Sequence, residues 1–224
     1  MKVAVLGKGK TGSKVIEILQ EEKIQHTVFD SKNTPTLELL AAHDVIISFL
    51  ASEPFESYLE IIKSSKTPLI SGTTGYKYSP ELKEEIRKLQ LKWVVANNFS
   101  LGMNLVKNMI QTLGKANLLV SNPEYKIHEV HHTKKLDAPS GTAISFRDWL
   151  GHNCEISSER IGDVIGFHEI TLKTKTEEIK LSHNALDRKI FAEGAIFAAK
   201  KILTSTKIPY GITSFQEMVE KEIL

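Results

Sequence analysis

The chain begins with a short apolar strand, a glycine-rich turn and an amphipathic helix, and this order constrains the fold more than any other feature. Lys2–Leu6 is apolar, residues 7–12 have the pattern Gly-x-Gly-x-x-Gly, and a helical pattern follows from about Ser13 to Glu22. Glycines in such a turn let a pyrophosphate approach the backbone and the helix N-terminus closely. The sequence therefore predicts a dinucleotide-binding fold, and the candidate contacts in the turn are Gly7, Lys8, Gly9, Lys10, Thr11 and Gly12.

An acidic residue ends the second apolar segment. His26–Asp30 is predicted as a strand, and Asp30 lies 18 residues after Gly12. In dinucleotide-binding folds a carboxylate at this place accepts hydrogen bonds from the hydroxyls of the adenosine ribose. Asp30 is therefore a candidate cofactor ligand, although an aspartate at a strand end can also simply cap a turn.

Strands and helices continue to alternate up to about residue 102. Apolar strands are predicted at 44–49, 68–71 and 92–96, with helical segments between them. This alternation favours a Rossmann-like, doubly wound parallel sheet of the α/β class, which binds ligands at the carboxyl ends of its strands. Two loops follow such ends, although each could be an ordinary turn. Their candidate cofactor contacts are Gly72, Thr73, Thr74, Ala96, Asn97, Asn98 and Phe99.

The sequence pattern changes after Gly102. The segments 125–130, 164–172 and 178–183 alternate polar and apolar residues, which is typical of strands with one solvated face. The sequence therefore predicts a second domain of the α+β class that carries a mixed or antiparallel sheet.

Composition limits the partners that are expected. The 224 residues are 41% hydrophobic, enough for one large or two small cores. The 29 basic and 27 acidic residues are dispersed, so no nucleic-acid partner is predicted. No apolar run is as long as a membrane span and the N-terminus enters a strand directly, so no membrane partner and a cytoplasmic location are expected. The single cysteine, Cys154, cannot form an internal disulfide and receives no role.

Titratable side chains concentrate in residues 128–142. The predicted strand Tyr125–Val130 runs into a loop that carries His131, His132 and Lys135. Loops at strand ends are common places for chemistry. A histidine has an ordinary pKa of about 6.5 and therefore suits proton donation near neutral pH.

A predicted helix start follows this loop. Pro139 ends the extended segment, and Ser140, Gly141 and Thr142 are typical of a helix N-terminus, with the helix itself expected from Ala143 to Leu150. The free N–H groups of such a start can hold an anion, most simply a carboxylate, and Lys135 would add charge.

The same histidines could also suggest a metal site. His128, His131 and His132 are closely spaced, and histidine is a frequent zinc ligand. In a strand, however, His128 and His131 point to opposite faces, and Lys135 nearby would oppose a dication. No metal is predicted.

The run from Glu129 to Ala143, Glu-Val-His-His-Thr-Lys-Lys-Leu-Asp-Ala-Pro-Ser-Gly-Thr-Ala, resembles the signature of the 4-hydroxy-tetrahydrodipicolinate reductase, or dihydrodipicolinate reductase, family. Further segments similar to that family lie in the same order: the glycine-rich start, Gly72–Gly75, Asn98–Asn104 and Arg188–Ala195. The resemblance spans nearly the whole chain. The glycine turn is one residue shorter than is usual in the family, and Lys10 stands where an arginine is common.

The resemblance implies an enzyme of lysine and diaminopimelate biosynthesis that uses NADH or NADPH to reduce a small cyclic dicarboxylate. It implies that His131 is the proton donor, that Lys135 assists, and that His132 binds substrate together with the helix start at Ser140, Gly141 and Thr142. It also implies that the chain returns at its end to the first domain. Residues 1–102 and 188–224 then form the dinucleotide-binding domain, and residues 103–187 the domain for substrate binding and oligomerisation.

A homotetramer, or failing that a dimer, formed through the second domain is expected from the resemblance and from apolar side chains in that domain. Val164, Ile165, Ile170 and Leu172 lie in a region with few helices to cover them, and an exposed apolar sheet face normally finds a partner. The alternative to an enzyme is a non-catalytic redox sensor that binds a dinucleotide on the same fold. The presence of His131, His132, Lys135 and Thr142 favours the enzyme, because a sensor would not need them.

Overall fold

The computed structural model describes residues 1–223 and divides the chain into two compact units. Unit 1 comprises Met1–Leu101 and the segment that starts at Arg188, and unit 2 comprises Gly102–Asp187. Along the described part of the chain, no helix combines the length and the apolar character needed to cross a membrane.

The elements follow one another as β1 (Lys2–Leu6), α1 (Lys10–Glu21), β2 (Gln25–Phe29), α2 (Leu37–Ala41), β3 (Val45–Ser48), α3 (Ser52–Ser65), β4 (Leu69–Ser71), α4 (Pro80–Lys88), β5 (Lys92–Val95), α5 (Leu101–Leu113), β6 (Glu124–His131), α6 (Gly141–Leu150), β7 (Glu155–Arg160), β8 (Gly166–Lys173), β9 (Glu178–Ala185), α7 (Lys189–Thr204), β10 (Gly211–Ser214) and α8 (Phe215–Ile223). A 3-10 turn at Ala116–Leu118 separates α5 from β6.

Unit 1 is a six-stranded sheet in the order β10-β5-β4-β3-β1-β2, and every neighbouring pair is parallel. Because side chains alternate along a strand, Val3 and Val5 of β1 face a core with α1, α7 and α8, whereas Ala4 and Leu6 face a core with α2, α3 and α4. Helices on both faces of a parallel sheet confirm the predicted Rossmann-like, doubly wound fold.

The last strand of this sheet, β10, was not expected. No strand was predicted after residue 183, but Gly211–Ser214 pairs in parallel with β5 at the edge of the sheet. Four residues are too few to show a clear period of two. The strand therefore forms because β5 offers it a hydrogen-bonding edge.

The carboxyl ends of the first five strands meet at one edge of the sheet in unit 1. Gly7 follows β1, Asp30 follows β2, Gly72 follows β4 and Ala96 follows β5. This is the edge at which sheets of this type bind ligands. The fold therefore gathers residues that are far apart in the sequence at one place.

Unit 2 is a four-stranded sheet in the order β7-β6-β8-β9, in which β6 and β7 are parallel and the other pairs antiparallel. The predicted mixed sheet is thus confirmed. Helices α5 and α6 cover one face, where Val106, Ile110 and Phe146 pack on Ile127 and Ile170. Strand β7 was not expected, because its sequence Glu-Ile-Ser-Ser-Glu-Arg contains only one apolar residue.

Two of the four apolar residues from which an uncovered face was expected are covered within unit 2. Ile170 and Leu172 are buried within unit 2, with exposed fractions of 0% and 1%, so for these two residues the expectation was wrong. The opposite face of the sheet is mixed in character and carries His128, Phe167, Glu169, Thr171 and Lys180. We call this the open face of unit 2.

Candidate active site

Strand β6 places Glu129 and His131 on the face that the helices of unit 2 cover. The two residues are two positions apart, so their side chains point to the same side as that of Ile127, while His128 points to the open face. Glu129 is fully buried and His131 is 8% exposed. A buried carboxylate beside a buried histidine is the centre of the site in unit 2.

The Glu129 carboxylate accepts hydrogen bonds on both oxygens. Arg160 donates from Nη2 to Oε1 at 3.0 Å and from Nη1 to Oε2 at 3.1 Å. The backbone N–H of Ser140 donates to Oε1 at 3.2 Å, and His131 Nδ1 bonds to Oε2. Arg160 can reach the carboxylate because β7 pairs in parallel with β6 and brings Arg160 opposite His131.

These donors keep the buried carboxylate ionised. Burial alone would raise the pKa of Glu129, but the hydrogen bonds from Arg160, Ser158 and His131 outweigh it and lower the pKa to about 2. The carboxylate is therefore charged at neutral pH. A buried charge of this kind is tolerated when its partners are close and well aligned.

His131 bonds to Glu129 through Nδ1, which leaves Nε2 available to another partner. Nε2 lies beside Gly166, where an added Cβ would be 3.1 Å from it. Burial lowers the pKa of His131, the Glu129 carboxylate opposes this effect, and the charges of Lys135 and Arg160 lower it further. The balance of these charges decides whether His131 can carry a proton near neutral pH.

His168 of β8 lies against His131, with ring centroids 4.9 Å apart. Its Nε2 is 3.2 Å from Ser140 Oγ. Burial, and then the neighbouring His131, lower the pKa of His168 to about 3, so this ring stays neutral. His168 is thus a structural neighbour of Ser140 and does not itself provide charge.

Ser140 is the N-cap of α6, and its Oγ accepts a hydrogen bond from Ala143 N at 3.2 Å. The predicted helix start is therefore confirmed, although α6 begins at Gly141, two residues earlier than Ala143. A Cβ at Gly141 would have no atom within 4 Å, so the space in front of the first turn is open. Thr142, the next residue, is half-buried.

Lys135 and the start of α6 already hold a carboxylate, that of Asp137. Lys135 Nζ lies 2.8 and 2.9 Å from the two carboxylate oxygens. The Lys135 ammonium, and more weakly the backbone N–H of Gly141, hold the pKa of Asp137 below its usual value. Lys135 and the start of α6, the groups from which the sequence predicts an anion site, therefore both interact with the carboxylate of Asp137.

His132 follows directly after β6 and is half-buried. Its Nδ1 is buried and has no hydrogen-bond partner among the described residues. Buried polar atoms are normally paired, so an unpaired ring nitrogen here is consistent with a ligand contact.

Glu129, His131 and His168 place potential ligand atoms within 4.8 Å of one another, which is close enough to hold a cation. The Arg160 guanidinium, however, occupies both oxygens of Glu129 and would repel a dication at this distance. We therefore assign no metal to this cluster.

In unit 1 the glycine turn leads directly into α1 and is closely packed at Gly7 and Gly12. Helix α1 starts at Lys10, earlier than the expected Ser13, so Thr11 and Gly12 lie in its first turn. Gly7 has a φ of +96°, and a Cβ at Gly12 would overlap the Gly7 carbonyl oxygen. Gly9 caps the helix without a side chain, and a Cβ there would have no atom within 4 Å.

Two exposed lysines flank this turn. Lys8 precedes the cap residue, and Lys10 is the first residue of α1. Their ammonium groups add positive charge to the free N–H groups of the helix start. The turn can therefore hold an anion at an open, positively charged helix N-terminus.

Asp30 does cap a turn, as the alternative interpretation held. Its Oδ1 accepts hydrogen bonds from the backbone N–H groups of Lys32 at 2.9 Å and Asn33 at 3.1 Å. These bonds lower the pKa of Asp30, and the charges of Lys8 and Lys32 lower it less. Neither bond uses Oδ2, so the turn fixes the carboxylate while one oxygen can accept from a ligand.

The loop after β4 contains a buried hydroxyl without a partner. Thr73 is 2% exposed, and its Oγ1 has no hydrogen-bond partner within the described residues. The neighbouring Ser71 Oγ accepts from the hydroxyl of Tyr78 at 2.8 Å. Gly72 lies against the ring of Phe49, where a Cβ would collide, and Thr74 is exposed. A buried, unpaired hydroxyl at this edge fits a polar ligand group.

The loop after β5 has fewer side chains available to contact a ligand than its sequence predicts. Asn97 is exposed and Ala96 half-buried, whereas Asn98 Oδ1 accepts from Ser100 N at 2.8 Å. Phe99 packs its ring 4.8 Å from that of Phe215 in the core. A Cβ at Gly194 of α7 would overlap the Phe99 carbonyl oxygen. Phe99 therefore anchors the loop, and its side chain faces the core.

Three residues of the site in unit 2 were not assigned roles from the sequence: Glu129, Arg160 and His168. A spacing of two residues between Glu129 and His131 in a predicted strand was the signal that could have identified the pair. Arg160 and His168 carried no such signal, since they reach the site through strand pairing.

Two family models match the chain. The one described as dihydrodipicolinate reductase, N-terminus, matches residues 1–99, and the one described as dihydrodipicolinate reductase, C-terminus, matches residues 101–218.

Among curated relatives, the 4-hydroxy-tetrahydrodipicolinate reductase of Thermosipho africanus (strain TCF52B) is 29% identical over 230 residues, which cover 100% of both chains. That of Stenotrophomonas maltophilia (strain R551-3) is 35% identical over 164 residues, or 72% of this chain and 67% of the relative.

A solved structure, the dipicolinate-bound dihydrodipicolinate reductase from Paenisporosarcina sp. TG-14, has a TM-score of 0.76 at 20% identity and covers 97% of this chain and 98% of its own. This likeness shows the fold.

The two family models together match most of the sequence, and both carry the description of the family that the signature at Glu129–Ala143 resembles. The chain therefore belongs to the dihydrodipicolinate reductase family.

Proposed function

We propose that this protein is an NAD(P)H-dependent reductase that converts 4-hydroxy-tetrahydrodipicolinate (dihydrodipicolinate) to tetrahydrodipicolinate in lysine and diaminopimelate biosynthesis, and that it acts in the cytoplasm. Membership of the family supports the reaction. The observation that carries the proposal is the pairing of Lys135 with the Asp137 carboxylate beside the start of α6, because the same charge and N–H groups suit a substrate carboxylate.

Unit 1 provides a site for the dinucleotide. The turn Gly7–Gly12 and the N-terminus of α1 bind the pyrophosphate, Asp30 Oδ2 accepts from the adenosine ribose, and Thr73 Oγ1 bonds to a polar group near the nicotinamide. When bound, the reduced nicotinamide supplies the hydride. Ala96 and Asn97, in the loop after β5 at the same edge of the sheet, flank the nicotinamide.

Unit 2 provides a site for the cyclic dicarboxylate. A substrate carboxylate displaces Asp137 and bonds to Lys135 and to the N–H groups of Gly141 and Thr142, with Ser140 fixing the first turn of α6. The exchange costs little, because the Lys135–Asp137 pair is exposed and such pairs are weak. His132 donates to or accepts from a polar atom of the substrate through its unpaired Nδ1.

His131 supplies the proton that accompanies the hydride. Its Nδ1 is held by Glu129, so the imidazolium releases its proton from Nε2, and the ring returns to the neutral form. Lys135 holds the substrate and is a second donor near the same carbon. Of His131 and Lys135, the group that faces the carbon being protonated donates the proton.

The first prediction concerns the catalytic pair. His131→Gln should lower turnover by roughly 10²- to 10⁴-fold, the usual contribution of a general acid, with NADH affinity retained. Lys135→Ala should lower turnover and also raise KM, because it removes the charge that binds the substrate carboxylate. The measurement is steady-state kinetics, with the substrate formed by a coupled dihydrodipicolinate-forming synthase, beside direct NADH titration.

Lys134→Ala is the matched control, since Lys134 is an exposed lysine next to Lys135 and should leave the kinetics unchanged. Near-full turnover of His131→Gln would show that another group supplies the proton. Wild-type protein that binds NADH but never oxidises it in the coupled assay would favour the redox sensor and overturn the proposed reaction.

The second prediction concerns the cofactor. We propose that both NADH and NADPH are accepted, with NADH at least as good, because Asp30 attracts ribose hydroxyls and repels a 2′-phosphate while Lys8 and Lys32 offset that repulsion. Asp30→Ala should therefore weaken NADH binding more than NADPH binding. Fluorescence titration of both cofactors measures this difference, and an equal loss for the two would show that Asp30 does not contact the ribose.

We also propose that the protein is a homotetramer, assembled through the open face of unit 2. That face is a sheet surface with Phe167 and Val130 half-buried among polar residues, and the family resemblance implies a tetramer. Sedimentation equilibrium should give about four times the chain mass of 25.1 kDa. A monomer at micromolar concentration would exclude this assembly.

A further inference from the structure

We propose that Glu129, anchored by Arg160, is a positioning residue for this reaction: it fixes which nitrogen of His131 releases the proton and ties that histidine to the helix start that binds the substrate carboxylate. The inference rests on the proposed function, and it names two residues that act through others and do not touch the substrate.

The carboxylate of Glu129 connects His131 to the start of α6. Oε2 bonds to His131 Nδ1, and Oε1 accepts from the backbone N–H of Ser140 at 3.2 Å. Arg160 donates to both oxygens, at 3.0 and 3.1 Å, and so prevents the carboxylate from rotating. His131 and the first turn of α6 are therefore held at a fixed separation, as near-attack geometry requires.

The bond to Glu129 also selects the tautomer of His131. A carboxylate accepts hydrogen bonds, so Nδ1 must carry a proton whether the ring is neutral or charged. Nε2 is then the nitrogen that gains and loses the catalytic proton. Gly166 leaves space at that nitrogen, because any side chain there would begin 3.1 Å from Nε2.

The charges around His131 show why this carboxylate is needed. Arg160 from β7 and Lys135 from the loop disfavour the imidazolium, the neutral His168 from β8 adds no compensating charge, and burial disfavours the imidazolium most of all. Asp137, the nearest acid of the loop, is paired with Lys135. Among the described residues, Glu129 is the group that raises the pKa of His131.

Glu129→Gln tests the inference, because the amide has the size of the carboxylate but lacks its charge. The pKa of His131 should fall, so the basic limb of the profile of kcat/KM against pH should move to lower pH by roughly one unit or more, the usual effect of an adjacent charge. Turnover above neutral pH should drop by roughly 10-fold or more, and the deficit should shrink as the pH is lowered. KM should rise, and NADH affinity should stay the same.

A second variant guards against loss of folding, since Glu129→Gln leaves the Arg160 guanidinium without its acid. The double variant Glu129→Gln/Arg160→Gln removes both charges, and its basic limb should lie between those of the wild type and the single variant. Asp148→Asn is the control for charge alone, because Asp148 is an exposed carboxylate on α6 and should leave the pH profile unchanged.

A uniform loss of activity at all pH values in Glu129→Gln, with an unmoved basic limb, would mean that Glu129 only stabilises the fold and would overturn the inference. A double variant with the wild-type profile and KM would overturn it as well. Failure of the proposed function is a different outcome, because the wild-type protein itself would then fail to oxidise NADH with this substrate.

Discussion

The ionised Glu129 carboxylate, buried in unit 2, is the interaction on which the rest of the proposed active site depends. Removing a charge from water costs several kcal/mol, and removing one partner from a buried pair typically costs about 3–5 kcal/mol. The carboxylate is stable here because Arg160, His131 and the Ser140 N–H all donate to it. The same hydrogen bonds hold these donors in place, so Glu129 links His131 directly to the start of α6.

The two units offer ligands in different ways. Unit 1 presents mainly backbone: a glycine turn, a helix N-terminus and one buried hydroxyl, Thr73 Oγ1, at the carboxyl edge of a parallel sheet. Unit 2 presents charged side chains around one strand end. This division suits the proposed chemistry, because a dinucleotide is held by many weak contacts whereas a small dicarboxylate needs a few strong ones.

The sequence predicted the fold class because its strongest signals are local. The Gly-x-Gly-x-x-Gly turn and the alternation of apolar strands with helices are legible within short windows, and the N-cap at Ser140 is a signal of a few residues. Strands β7 and β10 were missed because one is polar and the other has four residues. They form through pairing with a neighbouring strand, which a local pattern does not contain.

The same limit applies to the candidate site. His131, Lys135 and Ser140 lie within one segment and were found, whereas the ion pair between Glu129 and Arg160 joins residues 31 positions apart. The burial of Ile170 and Leu172 likewise depends on where the strands of unit 2 point. The pairing of Asp137 with Lys135 is also absent from the sequence pattern, because it forms only when the loop folds back towards α6.

If Glu129 holds the proton of His131 on Nδ1, the protonation of the two ring nitrogens must reveal it. ¹⁵N NMR of protein labelled at histidine, with the His131 signals assigned by their loss in His131→Gln, distinguishes the tautomers. We expect neutral His131 to carry its proton on Nδ1 and none on Nε2, and we expect Glu129→Gln to reduce this preference. A proton on Nε2 of neutral His131 in the wild-type protein would show that Glu129 does not set the tautomer.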